Sequence, residues 1–88
     1  MLCLVARFEG REYKFAIPRE RARLGASSSA DLPLPVPGVS RSHAWVRATE
    51  DGIHLEDAGS RNRLIVDGRR MDEVTMKPGD AVQVGRAI

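Results

Sequence analysis

Apolar and polar residues alternate along most of the chain with a period of two, and turn residues interrupt the alternation at short intervals. The runs "MLCLVARF" and "REYKFAI" flank "EG", which predicts a hairpin whose second strand turns Tyr13, Phe15 and Ile17 to one face. "ARLGAS" predicts a third strand, closed by Gly25 and the small-residue stretch "ASSSA". In "DLPLPVPGVS", Pro33, Pro35 and Pro37 remove ladder donors and fix φ, so an extended loop or a brief edge strand is expected. No segment carries a helical period.

Further on, "HAWVRA" faces "GIHLED" across "TEDG". A register that sets Val46 against Leu55 and Ala48 against Ile53 buries all four on one face and leaves Trp45, Arg47, His54 and Glu56 on the wetter one. "SRN" breaks the pattern, "LIV" resumes it, Asp67-Gly68 is a two-residue hairpin signal, "RRM" begins the return, and "KPGD" turns the chain into "AVQVG". About nine or ten short strands in one unit predict an all-β sandwich or small barrel. A further strand is expected to open at "GRAI", which suggests a single domain cut from a longer polypeptide.

Composition narrows this picture. The 88 residues suffice for one domain, and an apolar share of 42% with 30% charged residues spread along the chain fits a folded module rather than a disordered one. The net charge is only +2, but twelve of the fourteen basic residues are arginine, whose planar fork grips phosphate or carboxylate through two hydrogen bonds. Such a surplus supports a local anion site and not a polybasic tract. The single cysteine, Cys3, excludes an intramolecular disulfide and an all-cysteine metal site. Within its apolar run it reads as a small buried residue. No stretch approaches the about 18 apolar residues of a membrane helix, and the first ten residues do not fit a secretory signal, so a cytoplasmic location and no membrane partner are expected.

Three chemistries compete for "PGVSRSHAWV". Ser40, His43 and Asp57 are the residue types of a catalytic triad, but no G-x-S-x-G elbow surrounds the serine and so small a β domain leaves little room for a cleft, so an enzyme is not expected. His43 and His54 stand apart, with no C-x-x-C, H-E-x-x-H or calcium-loop spacing, so neither a metal nor another cofactor is expected. The third is a loop surface. Ends of the loops holding Ser27, Ser28, Ser40, Arg41, Arg61, Asn62 and Arg63 can converge at one end of a sandwich, where hydroxyl, amide and guanidinium donors would cradle a dianionic phosphate. The same residue types also serve as ordinary solvated turn residues, and composition does not separate the two.

The ordered series "LG", "VSRSHA", "LEDAGSRN", "VDG" and "GDAVQVG" resembles the forkhead-associated (FHA) domain family over roughly Arg23 to Gly85. The resemblance implies an eleven-stranded β-sandwich, non-enzymatic, that binds phosphothreonine-containing segments of partner proteins through loops at one end. Ser40 is similar to the family serine that hydrogen-bonds the phosphate, Arg41 to the basic residue that assists it, and His43 to the histidine that braces the loops. Arg61 falls where a serine or threonine helps hold the ligand, and Asn62 resembles the asparagine that reads the peptide main chain. Gly25, and Gly79 with Asp80, resemble scaffold positions.

Three positions depart from the pattern: Ala26 replaces the arginine that grips the phosphate, Arg63 a glycine, and Leu64 a threonine. Losing one charge-assisted bond costs about 1.5 to 3 kcal/mol, or about ten- to a hundredfold in affinity. Arg41, Arg61 and Arg63 offer replacement charge from neighbouring loops. The expected partner is a phosphorylated protein, or a phosphorylated segment of the same polypeptide, in a bacterial signalling or transcription-regulating context. Phosphate-independent recognition or self-association through Trp45, Arg47 and His54 is the competing reading. Nucleic-acid binding ranks third, because one Trp, one Tyr and two Phe provide few stacking platforms.

Overall fold

The computed structural model describes residues 2–88, where the alternation becomes ten β-strands. Met1, with which the first strand was expected to open, lies outside the described residues. β1 (Cys3–Phe8) and β2 (Arg11–Ala16) pair antiparallel around Glu9 and Gly10, both at positive φ (48° and 78°), the twist a two-residue hairpin needs. β3 (Ala22–Gly25), β4 (Leu32–Pro33), β5 (Ala44–Thr49), β6 (Gly52–Asp57) and β9 (Glu73–Met76) form a five-stranded sheet in the order β4-β3-β5-β6-β9. β7 (Leu64–Val66), β8 (Arg69–Met71) and β10 (Gln83–Val84) form a three-stranded sheet in the order β10-β7-β8.

The register of β5 on β6 is the one expected, with Val46 opposite Leu55 and Ala48 opposite Ile53. The hairpin between β7 and β8 turns at Asp67 and Gly68, again both at positive φ (50° and 80°). The return after "RRM" divides: past Asp72 the chain leaves the small sheet and joins the large one as β9, which sets Glu73 beside Glu56 and Thr75 beside His54. The last expected strand shrinks to Gln83–Val84, and Ile88 then exchanges two backbone hydrogen bonds with Arg7 (2.8 and 3.1 Å).

The core lies between the five-stranded sheet and the two smaller ones. Leu24, Val46 and Leu55 from the large sheet meet Ala6 from β1, Leu64 from β7 and Val84 from β10. The proline-rich segment contributes as an extended strip: Leu32, Leu34 and Val36 are buried while Pro33, Pro35 and Pro37 face solvent. A period of two thus survives where the ladder cannot, because each proline that lacks a donor sits on the outward side. Leu34 is 1% exposed, and its truncation to alanine would cost about 2–5 kcal/mol.

Cys3 requires a correction: it is exposed, not buried. The apolar run from Leu2 to Ala6 conceals the alternation, but Ala6 is buried and Arg7 is exposed, and two-residue periodicity puts Cys3 on the side of Arg7.

Candidate functional site

At one end of the sandwich three connections meet, the segments 26–31, 37–43 and 58–63, and main-chain bonds join them. Ala26 N–H donates to Ser40 O (2.9 Å) and Ser27 N–H to Arg41 O (3.4 Å), which lays the first segment along the second. Gly25 permits this approach, since a Cβ there would stand 1.9 Å from Arg41 O. Gly38, at φ +85°, packs against Gly85, where a Cβ would come within 2.5 Å of the Gly38 carbonyl carbon.

His43 is fully buried and joins the second segment to the third. Its Nδ1 accepts from Ser40 N–H (3.0 Å), so Nε2 carries the proton and donates to Arg63 O (2.7 Å). Both ring nitrogens are therefore occupied by main chain, and neither is placed to take the Ser40 hydroxyl proton. The serine–histidine pair is a brace, not a nucleophile with its base.

The third segment is organised from below by Asp57, whose side chain is 2% exposed. Its carboxylate accepts from Gly59 N–H (2.9 Å), Ser60 N–H (3.1 Å) and the Ser60 hydroxyl. Ser60 Oγ in turn accepts from Arg63 N–H (2.9 Å). Arg63 takes the left-handed conformation (φ 61°) left open by the missing glycine, at a cost of about 1 kcal/mol or more. Its guanidinium pairs with Asp72 and lies 3.9 Å from Asp57, compensating the buried carboxylate.

Two further polar side chains, Ser40 and Asn62, are fixed by the same loops. Ser40 Oγ accepts from Arg61 N–H (3.0 Å), which leaves its own O–H free to donate outward. Asn62 Nδ2 donates to Gly38 O (2.8 Å), which leaves its carboxamide oxygen free to accept.

The structure thus brings Ser40, Arg41, Arg61 and Asn62 together. Arg41 and Arg61 are exposed and, among the described residues, neither makes an ion pair. Ser27 joins through its backbone while its hydroxyl pairs with Ser29 (2.8 Å), and Ser28 is exposed beside it. Arg63 is drawn off to Asp72. Ala26 has its side chain packed against the core and presents no charge. Two contributors escaped the sequence reading. Arg23 binds Ser29 O (3.0 Å) and Ser42 Oγ (3.3 Å) and so clamps the first segment to the second, a role its outward position two residues before Gly25 could have signalled. Asp57, weighed only as a triad member, is the anchor of the third segment.

The sequence model of the FHA domain matches residues 22–85. The chain belongs to the FHA domain family. This FHA domain is 32% identical over 69 residues to the ABC transporter ATP-binding/permease protein Rv1747 of Mycobacterium tuberculosis, covering 78% of this chain and 8% of the transporter. The crystal structure of the Rv1747 FHA-1 domain superposes with a TM-score of 0.71 at 30% identity, covering 94% of this chain and 84% of that one. The glycogen accumulation regulator GarA of the same organism is 28% identical over 85 residues, covering 97% of this chain and 52% of GarA. Mycobacterium tuberculosis EmbR in complex with a low-affinity phosphopeptide matches with a TM-score of 0.66 and 29% identity, covering 91% of this chain and 22% of EmbR. The chain spans about half the length of GarA and less than a tenth of Rv1747.

Proposed function

We propose that this domain binds a phosphothreonine-bearing segment of a partner protein at the end formed by the three loops, without catalysing a reaction on it. In this reading the Ser40 hydroxyl donates to a phosphate oxygen, Arg41 and Arg61 supply the charge that Ala26 lacks, and the Asn62 carboxamide accepts from the peptide main chain. The observation that carries it is the Ser40 hydroxyl: Oγ accepts from the Arg61 amide, which leaves its O–H free to donate, and Arg41 and Arg61 on the same loops make no ion pair among the described residues. The four groups sit on loops already bonded to one another, so little order has to be acquired on binding. The phosphopeptide bound to EmbR supports the ligand class. No helix among the described residues is long and apolar enough to cross a membrane, and a single exposed thiol favours a reducing, cytoplasmic setting.

The test is a calorimetric titration of phosphothreonine peptides against their unphosphorylated forms, repeated with Ser40→Ala, Arg41→Ala and Arg61→Ala. Phosphate-dependent binding is expected to weaken about tenfold or more in Ser40→Ala and about threefold to tenfold in each arginine variant. Equal affinity for phosphorylated and unphosphorylated peptides would reject the reading.

A further inference from the structure

The outward face of the five-stranded sheet has a charge order of which the loop site uses only Arg23, held by Ser29 and Ser42. The ladder sets Arg23, Trp45, Glu56 and Glu73 side by side across β3, β5, β6 and β9, and Arg47 beside His54 and Thr75 in the next row. Arg21, just before β3, lies over the Trp45 ring at 4.0 Å. Positive charge therefore collects on the β3–β5 half and negative charge on the β6–β9 half. Within one molecule Glu56 and Glu73 are direct cross-strand partners, where like charges destabilise, with His54, 3.7 Å from Glu73, beside them. Opposite charges placed alternately would have supported the sheet instead.

We infer that this face docks a second copy of the chain about a two-fold axis running along the strands between β5 and β6. That rotation lays the β3 edge of one copy over the β9 edge of the other. Arg21, already flat on Trp45, then meets Glu56 of the second copy, while Arg23 stays with Ser29 and Ser42 of its own chain at the rim. Each contact occurs twice, as a two-fold interface demands. A two-fold axis across the strands would stack arginine on arginine, so the charge order selects one geometry. The occupant is a second copy because the face is complementary to itself.

The contact is small. Four strands about 4.8 Å apart and about five residues deep cover roughly 250–300 Å² a side, against about 800 Å² for a standard interface. The association is accordingly weak, with a dissociation constant of about 0.1 to 1 mM, and sensitive to salt. It leaves both loop ends free, so two phosphorylated segments in one partner could be held together.

Charge exchange tests the pairing on the whole chain. Sedimentation velocity and NMR diffusion from about 10 μM to about 1 mM, a range that brackets the expected constant, should show the natural sequence associating and added salt reversing it. Arg21→Glu and Glu56→Arg should each remain monomeric, and their equimolar mixture should associate as the natural sequence does. A natural chain that stays monomeric throughout would overturn the proposal and leave the face to a different partner. Undiminished association of either single variant, or a mixture that stays monomeric, would overturn it equally.

Discussion

The loop end and the outer sheet face both carry arginines and polar groups, but they dispose of them in opposite ways. At the loop end nearly every polar group is bound to a neighbouring loop: His43 by both nitrogens, Asp57 by three donors, and Asn62 through its amide. What remains free is a short set of groups, among them the Ser40 hydroxyl, the exposed Ser28, the Asn62 oxygen and the guanidinium groups of Arg41 and Arg61. On the sheet face the charged side chains stand in strand-wise blocks with fewer ties, Arg21 stacked on Trp45 and His54 bonded to Thr75 (3.1 Å) and 3.7 Å from Glu73. A rigid site is built by satisfying most polar groups internally and leaving few, whereas a face of exposed charges held by fewer contacts is suited to weak, salt-sensitive association.

Breaking the loop end from within has the largest expected effect. Gly25→Ala drives a Cβ to 1.9 Å from Arg41 O, and relief must come from main chain on both sides, at a cost of about 4 kcal/mol. A fall in melting temperature of about 15 °C or more by calorimetry, with loss of phosphopeptide binding, checks this. His43→Ala comes next, at about 3 kcal/mol, because Ser40 N–H and Arg63 O are left buried without partners around a void. Chemical denaturation measures it, and a variant as stable as the natural chain would contradict the bracing role.

Ala26→Arg sharpens the comparison in the other direction. It places a guanidinium at the position where the sequence resemblance implies one, and on the proposed function phosphothreonine peptides should bind about ten- to a hundredfold tighter by titration, about 1.4 to 2.8 kcal/mol. The smallest effect belongs to the sheet face: Arg21→Ala removes the stack on Trp45, lowers stability by about 0.5–1 kcal/mol, and leaves phosphopeptide affinity unchanged.

Much of the fold was legible because two-residue alternation and turn chemistry are local signals. Glu9-Gly10 and Asp67-Gly68 both turn as read, and the Val46–Leu55 register follows from one buried face. What escaped depends on partners far away in the chain. "RRMDEVTM" reads as one run, yet Asp72 passes it from one sheet to the other, and nothing local marks a change of sheet. Cys3 misled because four apolar neighbours hide the phase of its strand. At the candidate site, the residue types and their convergence could be read, but the tie of Arg63 to Asp72 and the clamp by Arg23 arise only when strands bring distant segments together.

The account rests on the loop end, and not the sheet face, being where a phosphorylated ligand is held. Titrating a phosphothreonine peptide into the isotopically labelled domain, kept near 50 μM and thus at or below the expected self-association constant, tests that directly. The account predicts that the Ser40, Arg41 and Arg61 amides and the Asn62 side-chain amide shift while the Trp45 indole stays fixed. Movement of the Trp45 indole with the loop amides unchanged would contradict it.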